Sequence, residues 1–261
     1  MELQGVVDKL DQAGYALYAV SYDSPAVLDA FASKYGITYP LLSDEASAVI
    51  GALGLLNDEA APQVVGIPHP GTFVLNRDGT VRSKHFYASY RERDTGIGVL
   101  EHLLGMDASS HGNIREVATD AVSIRAWFDT DTYAWGQRLW LTVELDVPSG
   151  LHVYGRPISE GYRALDVEVE PLDRLVVGKP MYPETKPFRV AGLDESFQVY
   201  DGRVRVQLPI TFMVVDGGTL EIAVNVSFQA CSATDCGIPQ AVRLVLPIAE
   251  HPLVERPQRP Q

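Results

Sequence analysis

Two cysteines, Cys231 and Cys236, are the only thiols among 261 residues. They lie within Phe228-Gln-Ala-Cys-Ser-Ala-Thr-Asp-Cys-Gly-Ile-Pro-Gln240, with four residues between them. That spacing allows the two Cα atoms to come within disulfide reach. Three chemistries fit the pair. A hairpin staple would stabilise the fold by about 2 kcal/mol, little because the closed loop is short. A metal site would need more ligands, since two thiolates are half of a zinc shell and no histidine is close in sequence. A redox pair needs an accessible loop that an attacking thiolate can reach. Spacing alone leaves staple and redox pair open.

The elements that must position these thiols are strands. In residues 219–230 Leu220, Ile222, Val224, Val226 and Phe228 fall on every second position. Residues 241–248 alternate again, with Val242, Leu244 and Leu246 on one face. Such alternation marks half-buried strands. The thiols therefore sit at either end of a connection whose Gly237 and Pro239 are turn residues. Alternation continues upstream from residue 121: residues 122–128, 138–147, 151–154, 165–170, 174–177, 187–190 and 204–215 are expected strands. The last is broken by Pro209. Eight or nine short strands separated by Gly, Pro and Asp turns predict an antiparallel β-sandwich of immunoglobulin type over residues 117–250.

Residues 1–106 are different. Leu3, Val6, Val7 and Leu10 have helical spacing, and Gly14 closes that helix. Residues 15–21 form a strand. Ser24 and Pro25 then open a helix that runs to Tyr35 and stops at Gly36. Residues 37–42 are extended, and Ser43 or Asp44 caps a helix over 45–53. Residues 71–75 and 80–86 make a hairpin about Asn76-Arg77-Asp78-Gly79, and residues 94–104 a last helix. This order predicts an α/β domain, joined to the sandwich by a linker at 107–116. Residues 251–261 are expected to be a flexible tail.

Composition excludes some partners. A net charge of −13 repels nucleic acid and anionic membrane surfaces, and no apolar run reaches transmembrane length. The N-terminus lacks the basic start and apolar core of a signal peptide, so export is not expected from these residues. No Gly-rich phosphate loop appears, and neither a cofactor nor a metal is expected.

Within the first domain, Ile67-Pro68-His69-Pro70-Gly71-Thr72-Phe73-Val74-Leu75-Asn76-Arg77-Asp78-Gly79, with Ala19 to Ser24 and Phe31 to Asp44, resembles the AhpC/TSA peroxiredoxin and redoxin family. The resemblance covers roughly residues 2–105. It implies a thioredoxin fold in which Pro70 is the cis proline facing the active site. His69 is read as a loop residue. The family's reactive cysteine lies before the first long helix, on a strand and loop that have no counterpart here, and residues 1–230 contain no cysteine. Without a thiolate, peroxidase activity is not expected from this chain. Either a cysteine segment is encoded upstream, or the domain is a redoxin remnant serving as a platform or homodimer surface.

In the second domain, Gly150-Leu-His-Val-Tyr-Gly155 and Phe228 to Pro239 resemble the N-terminal domain of DsbD-type thiol:disulfide interchange proteins. The resemblance implies that Cys231 and Cys236 are a reversible active-site pair, with Cys236 forming the mixed disulfide. It implies a thioredoxin-like or membrane thiol–disulfide protein as electron donor, a disulfide protein as acceptor, and a periplasmic location for a chain with a longer N-terminus. The family's cap loop has its likeness in Asp194-Glu195-Ser196-Phe197, so Phe197 is the candidate cap, and Tyr154 and Tyr200 are candidate lining residues. His152 is read as a structural hydrogen-bonder. Asp235, an anion beside Cys236, disfavours thiolate, and a sluggish dithiol is expected unless a partner docks.

Overall fold

The computed structural model describes residues 2–59, 65–87, 92–106, 113–189, 196–213 and 218–251. The chain divides into two compact units, Met1–Ser109 and Ser110–Gln261.

In the first unit a 3-10 turn, Glu2–Val6, leads into α1, Val7–Gln12. A parallel pair follows, β1 (Ala19–Ser21) with β2 (Leu41–Ser43). Between them lies α2, Pro25–Tyr35, closed by Gly36 at φ 61°. That left-handed conformation is nearly free of strain only for glycine. Asp44 accepts hydrogen bonds from the Ala48 and Ile50 amides at 2.9 and 2.8 Å. The helix it caps, α3, is only Ala48–Ala52. It starts later than expected because Ser47 sits in the left-handed region at φ 51°. β3 (Gly71–Leu75) and β4 (Val81–Phe86) form the expected hairpin. A two-residue strand, β5 (Arg93–Asp94), precedes α4 (Gly96–Gly98). The chain then continues as a π-helical turn, Val99–Leu103, in place of the single long helix expected. Gly96 and Gly98 weaken regular helix there. Among the described residues β1–β2 and β3–β4 remain separate sheets.

The second unit is the sandwich. One sheet has the order β12-β15-β9-β7-β6 and a second β11-β16-β18-β8. The first is built on β6 (Arg115–Ala118), β7 (Ser123–Phe128), β9 (Gln137–Val147), β12 (Leu175–Val177) and β15 (Gly202–Phe212). The second uses β8 (Thr132–Tyr133), β11 (Asp166–Val169), β16 (Thr219–Phe228) and β18 (Gln240–Glu250). Their inner faces share one buried cluster that includes Ile124, Leu141, Val143, Leu145, Val206 and Leu208 opposite Val224, Val226, Leu244 and Leu246. Among the described residues, the strand pairs within these two sheets are antiparallel except β8 with β18, which is parallel.

Two expectations change. Pro209 does not break β15, which pairs with β9 through Pro209↔Trp140. The Pro209 carbonyl accepts from the Gly178 amide at 2.8 Å. Strand β12 ends at Val177, so the missing proline N–H falls where its partner strand has stopped. A Cβ on Gly178 would lie 2.6 Å from Pro209 Cγ, so a residue with no side chain admits the ring. The second change is a third sheet, β13-β14-β10-β17. It comprises β10 (His152–Tyr154), β13 (Lys186–Arg189), β14 (Ser196–Tyr200) and β17 (Ala230–Cys231).

Candidate functional site

The third sheet has two unlike faces, and its register separates them. Val153 pairs with Tyr200 and with Ala230, and all three join the main sandwich core. His152 pairs with Cys231, Tyr154 with Val199, and Phe188 with Phe197. Side chains alternate along a strand, so this second set leaves the opposite face. There Tyr154, Phe197, Val199 and Cys231 form a separate buried cluster, packed by Ile158, Tyr162 and Phe188. The aromatic centroids lie 5.1 Å apart for Tyr154–Tyr162, 5.3 Å for Tyr154–Phe197 and 5.0 Å for Tyr162–Phe197.

Cys231 ends β17 beside this cluster and is bonded to Cys236, with Cα atoms 4.1 Å apart. The two residues differ in access: Cys231 is 1% exposed, whereas Cys236 is an exposed residue. The Tyr154 hydroxyl approaches Cys236 Sγ at 3.3 Å. Burial, then the neighbouring Tyr162, pushes the Tyr154 phenol above its ordinary pKa, so it stays protonated and able to donate to a thiolate.

The turn between the cysteines is held by its own hydrogen bonds. The Ser232 amide donates to the Asp235 carbonyl at 2.7 Å. Ser232 Oγ accepts from the Thr234 and Asp235 amides at 3.2 and 2.9 Å, a side-chain turn of the kind serine favours. Gly237 donates to the Ala230 carbonyl at 3.0 Å. A Cβ on Gly237 would stand 2.8 Å from that carbonyl oxygen, so glycine permits the approach. Gln229 accepts from the Arg163 amide at 3.0 Å and donates to the Gly237 carbonyl at 2.9 Å. Its place next to the cysteine segment gave no hint in the sequence that it ties the turn down.

The other site candidates fall as follows. Tyr154 stands against the sulfurs. Phe197 shares their cluster at 2% exposure, but as a strand residue of β14 and not at a loop tip; residues 190–195 lie outside those described. Tyr200 does not line the site, because it occupies the odd face of the ladder and is packed into the sandwich core. Pro70 is not preceded by a cis bond: among the described residues the cis peptide is Arg156–Pro157. The chain around it is drawn out by the Leu56↔Pro68 bridge and by the His69 amide donating to the Leu55 carbonyl at 2.7 Å, and Pro70 leads directly into β3. His152 makes no structural hydrogen bond through Nε2, which is buried without a partner. Leaving such an atom unsatisfied costs about 1–3 kcal/mol.

Residues 1–84 match the model of the AhpC/TSA family. Residues 122–247 match that of the thiol:disulfide interchange protein DsbD, N-terminal. The chain thus joins a thioredoxin-like redoxin segment to an immunoglobulin-like sandwich of the DsbD N-terminal kind. Alkyl hydroperoxide reductase E of Mycobacterium tuberculosis (strain ATCC 25618 / H37Rv) is 34% identical over 83 residues, 31% of this chain and 51% of that protein. The chain therefore spans about half the length of this relative. Among solved structures, the N-terminal periplasmic domain of ScsB from Proteus mirabilis gives a TM-score of 0.39 at 19% identity, covering 54% of this chain and 52% of that one. The Neisseria meningitidis DsbD N-terminal domain in the reduced form gives 0.29 at 16% identity, covering 40% and 74%.

Proposed function

We propose that this chain is a thiol–disulfide oxidoreductase that relays electrons through Cys231 and Cys236. The observation that carries the reading is the unequal access of the two cysteines, one exposed under a tyrosine hydroxyl and the other sunk in an apolar cluster. A thiolate of a dithiol donor protein attacks Cys236 Sγ. The Cys231–Cys236 bond breaks, its electron pair leaves on Cys231, and Cys236 is joined to the donor as a mixed disulfide. The donor's second thiol loses its proton and attacks the donor sulfur of that mixed disulfide, expelling Cys236. The donor ends as a disulfide, oxidised by two electrons, and the chain as a dithiol that has gained them. The same steps in reverse reduce an acceptor disulfide.

The donor on this reading is a thioredoxin-like or membrane thiol–disulfide protein. The acceptor is a disulfide protein of peroxiredoxin type, because residues 1–84 match a redoxin model yet residues 1–230 carry no cysteine with which to reduce a peroxide. The division that goes with this reading is a redoxin domain over 1–106, a linker at 107–116, the relay sandwich at 117–250 and a tail at 251–261.

A redox titration of the full chain against glutathione tests the reading. A potential between about −120 and −270 mV is that of exchange proteins. A value below about −300 mV is that of a structural disulfide, and would turn the sandwich into a stapled interaction module.

A further inference from the structure

His152 is a titratable group that the exchange steps above do not use. It pairs with Cys231 across the β10–β17 ladder. Directly opposed residues leave the same face with Cβ atoms about 5 Å apart. The ring is wedged between Phe188 and Tyr154, with centroids 4.2 and 5.4 Å away. It is 5% exposed, and Nε2 has no hydrogen-bond partner. An imidazole in this position is an acid–base group held next to a sulfur and committed to nothing else through that nitrogen.

Among the described residues, the ionisable groups around it come from its own strand and from the elements packed beside it. On β10 there is Tyr154, which burial keeps protonated. Beyond it is the hydroxyl of Tyr162. From β13 and the end of β14 come Lys186 and Asp201, which are ion-paired to each other. Burial lowers the His152 pKa and the Asp201 charge opposes that shift, so the ring is neutral while the disulfide is closed at neutral pH. From β17 comes Cys231, uncharged as long as it is bonded.

Opening the disulfide changes that last group. The bond's electron pair leaves on a sulfur that is 1% exposed, and an unpaired charge there is strongly disfavoured. We propose that His152 is the proton-handling partner of Cys231 during exchange. As the Cys231 sulfur leaves, the imidazole takes up a proton from water and forms a net-neutral thiolate–imidazolium pair. The proton then passes to sulfur, giving a buried thiol and a neutral ring. It is made good by the proton that the donor's second thiol loses, so charge balances over the cycle. In the reverse direction the ring accepts the proton as Cys231 attacks the mixed disulfide at Cys236. The inference rests on the reading of Cys231 and Cys236 as a working couple.

The test follows the His152 ring by NMR in the full chain, oxidised and then reduced with dithiothreitol, from about pH 5 to about pH 9, across the ordinary imidazole range. A ring and thiol that share a proton titrate as a coupled pair. The reduced protein is therefore expected to show a displaced midpoint and a second inflection absent from the oxidised one. In parallel, His152→Phe is expected to slow reduction by dithiothreitol about a hundredfold, the lower end of what a positioned acid–base group contributes, and to remove the imidazole limb of the pH–rate profile. His85→Phe, in the first unit, changes neither. Identical ring titrations in both states overturn the proposal, as does a His152→Phe protein with the parent's rate and pH profile. The ring titration of the unsubstituted protein decides the matter if that variant fails to fold. It also separates this proposal from the exchange reading, since dithiothreitol opens the disulfide for the titration whatever its potential against glutathione.

Discussion

The two units of this chain arrange their apolar residues in contrasting ways. In the first, among the described residues, two small buried clusters form, one around Leu10 and Leu100 and the other around Val74 and Val99, with Leu28 and Ile50 buried outside them. Tyr18, Val20, Leu42, Val49 and Leu53 meanwhile stay exposed, and the two short sheets do not join among the described residues. In the sandwich, one continuous cluster runs between two sheets and a second, aromatic cluster lies beyond it next to the disulfide. A redoxin-like order of elements is thus present in a segment that carries no cysteine, whereas the sandwich carries both of the chain's cysteines. Family likeness and reactive group are separable properties of a chain, and a function is argued from the site.

The sharpest way to break this contrast is to remove the sulfurs. A Cys231→Ser/Cys236→Ser protein is expected to lose exchange with glutathione altogether, while His69→Ala and Pro70→Ala in the first unit leave it unchanged. A fall in exchange on changing His69 or Pro70 would place chemistry in the unit that lacks a thiol.

A smaller effect separates the two faces of the third sheet. Tyr154→Phe removes a hydroxyl 3.3 Å from Cys236 Sγ. Losing one such hydrogen bond is worth about 0.5–1.5 kcal/mol, roughly a two- to tenfold slowing of reduction by dithiothreitol. Tyr200→Phe, on the core face, is expected to leave that rate unchanged. Equal effects from the two substitutions would remove the distinction between the faces.

The smallest effect concerns the scaffold alone. Hydrogen bonds from Arg243 and Asn225 hold the Glu170 carboxyl down at about 2, against an ordinary value of 4.5. A carboxylate whose pKa is lower folded than unfolded contributes stability that is fully present above the ordinary value and is lost as pH falls toward the folded one. Thermal unfolding of the parent and of Glu170→Gln should therefore differ above pH 4.5 and converge as pH approaches about 2. A constant difference across that window would mean the ion pair contributes nothing to the sandwich.

Where sequence and structure agree, the signal was local. The limits of α2 follow from Pro25 and Gly36, because a proline first turn and a left-handed glycine act on the backbone at their own positions. The strands of the sandwich follow from alternation of the kind seen from Leu220 to Phe228. What the sequence did not disclose depends on distant partners. Pro209 reads as a strand breaker until one knows that β12 has stopped beside it. Tyr154 and Tyr200 look alike as aromatics on strands, and only the pairing with Val199 and Val153 puts them on opposite faces. His152 gives no sign of an unpartnered nitrogen, because that depends on what surrounds it and not on its neighbours in the chain. The short β17 was hidden inside what reads as a connection.

The turn from Ser232 to Gly237 has one further consequence. Its serine, glycine and glutamine contacts are all independent of the sulfur bond, so cutting that bond leaves the two thiols tethered within a few ångströms of each other. Each then meets the other at an effective concentration no free thiol in solution can match. On the exchange reading, closure is then a local event requiring no search: Cys231 attacks the mixed disulfide at Cys236 and expels the acceptor's sulfur, which carries the two electrons away.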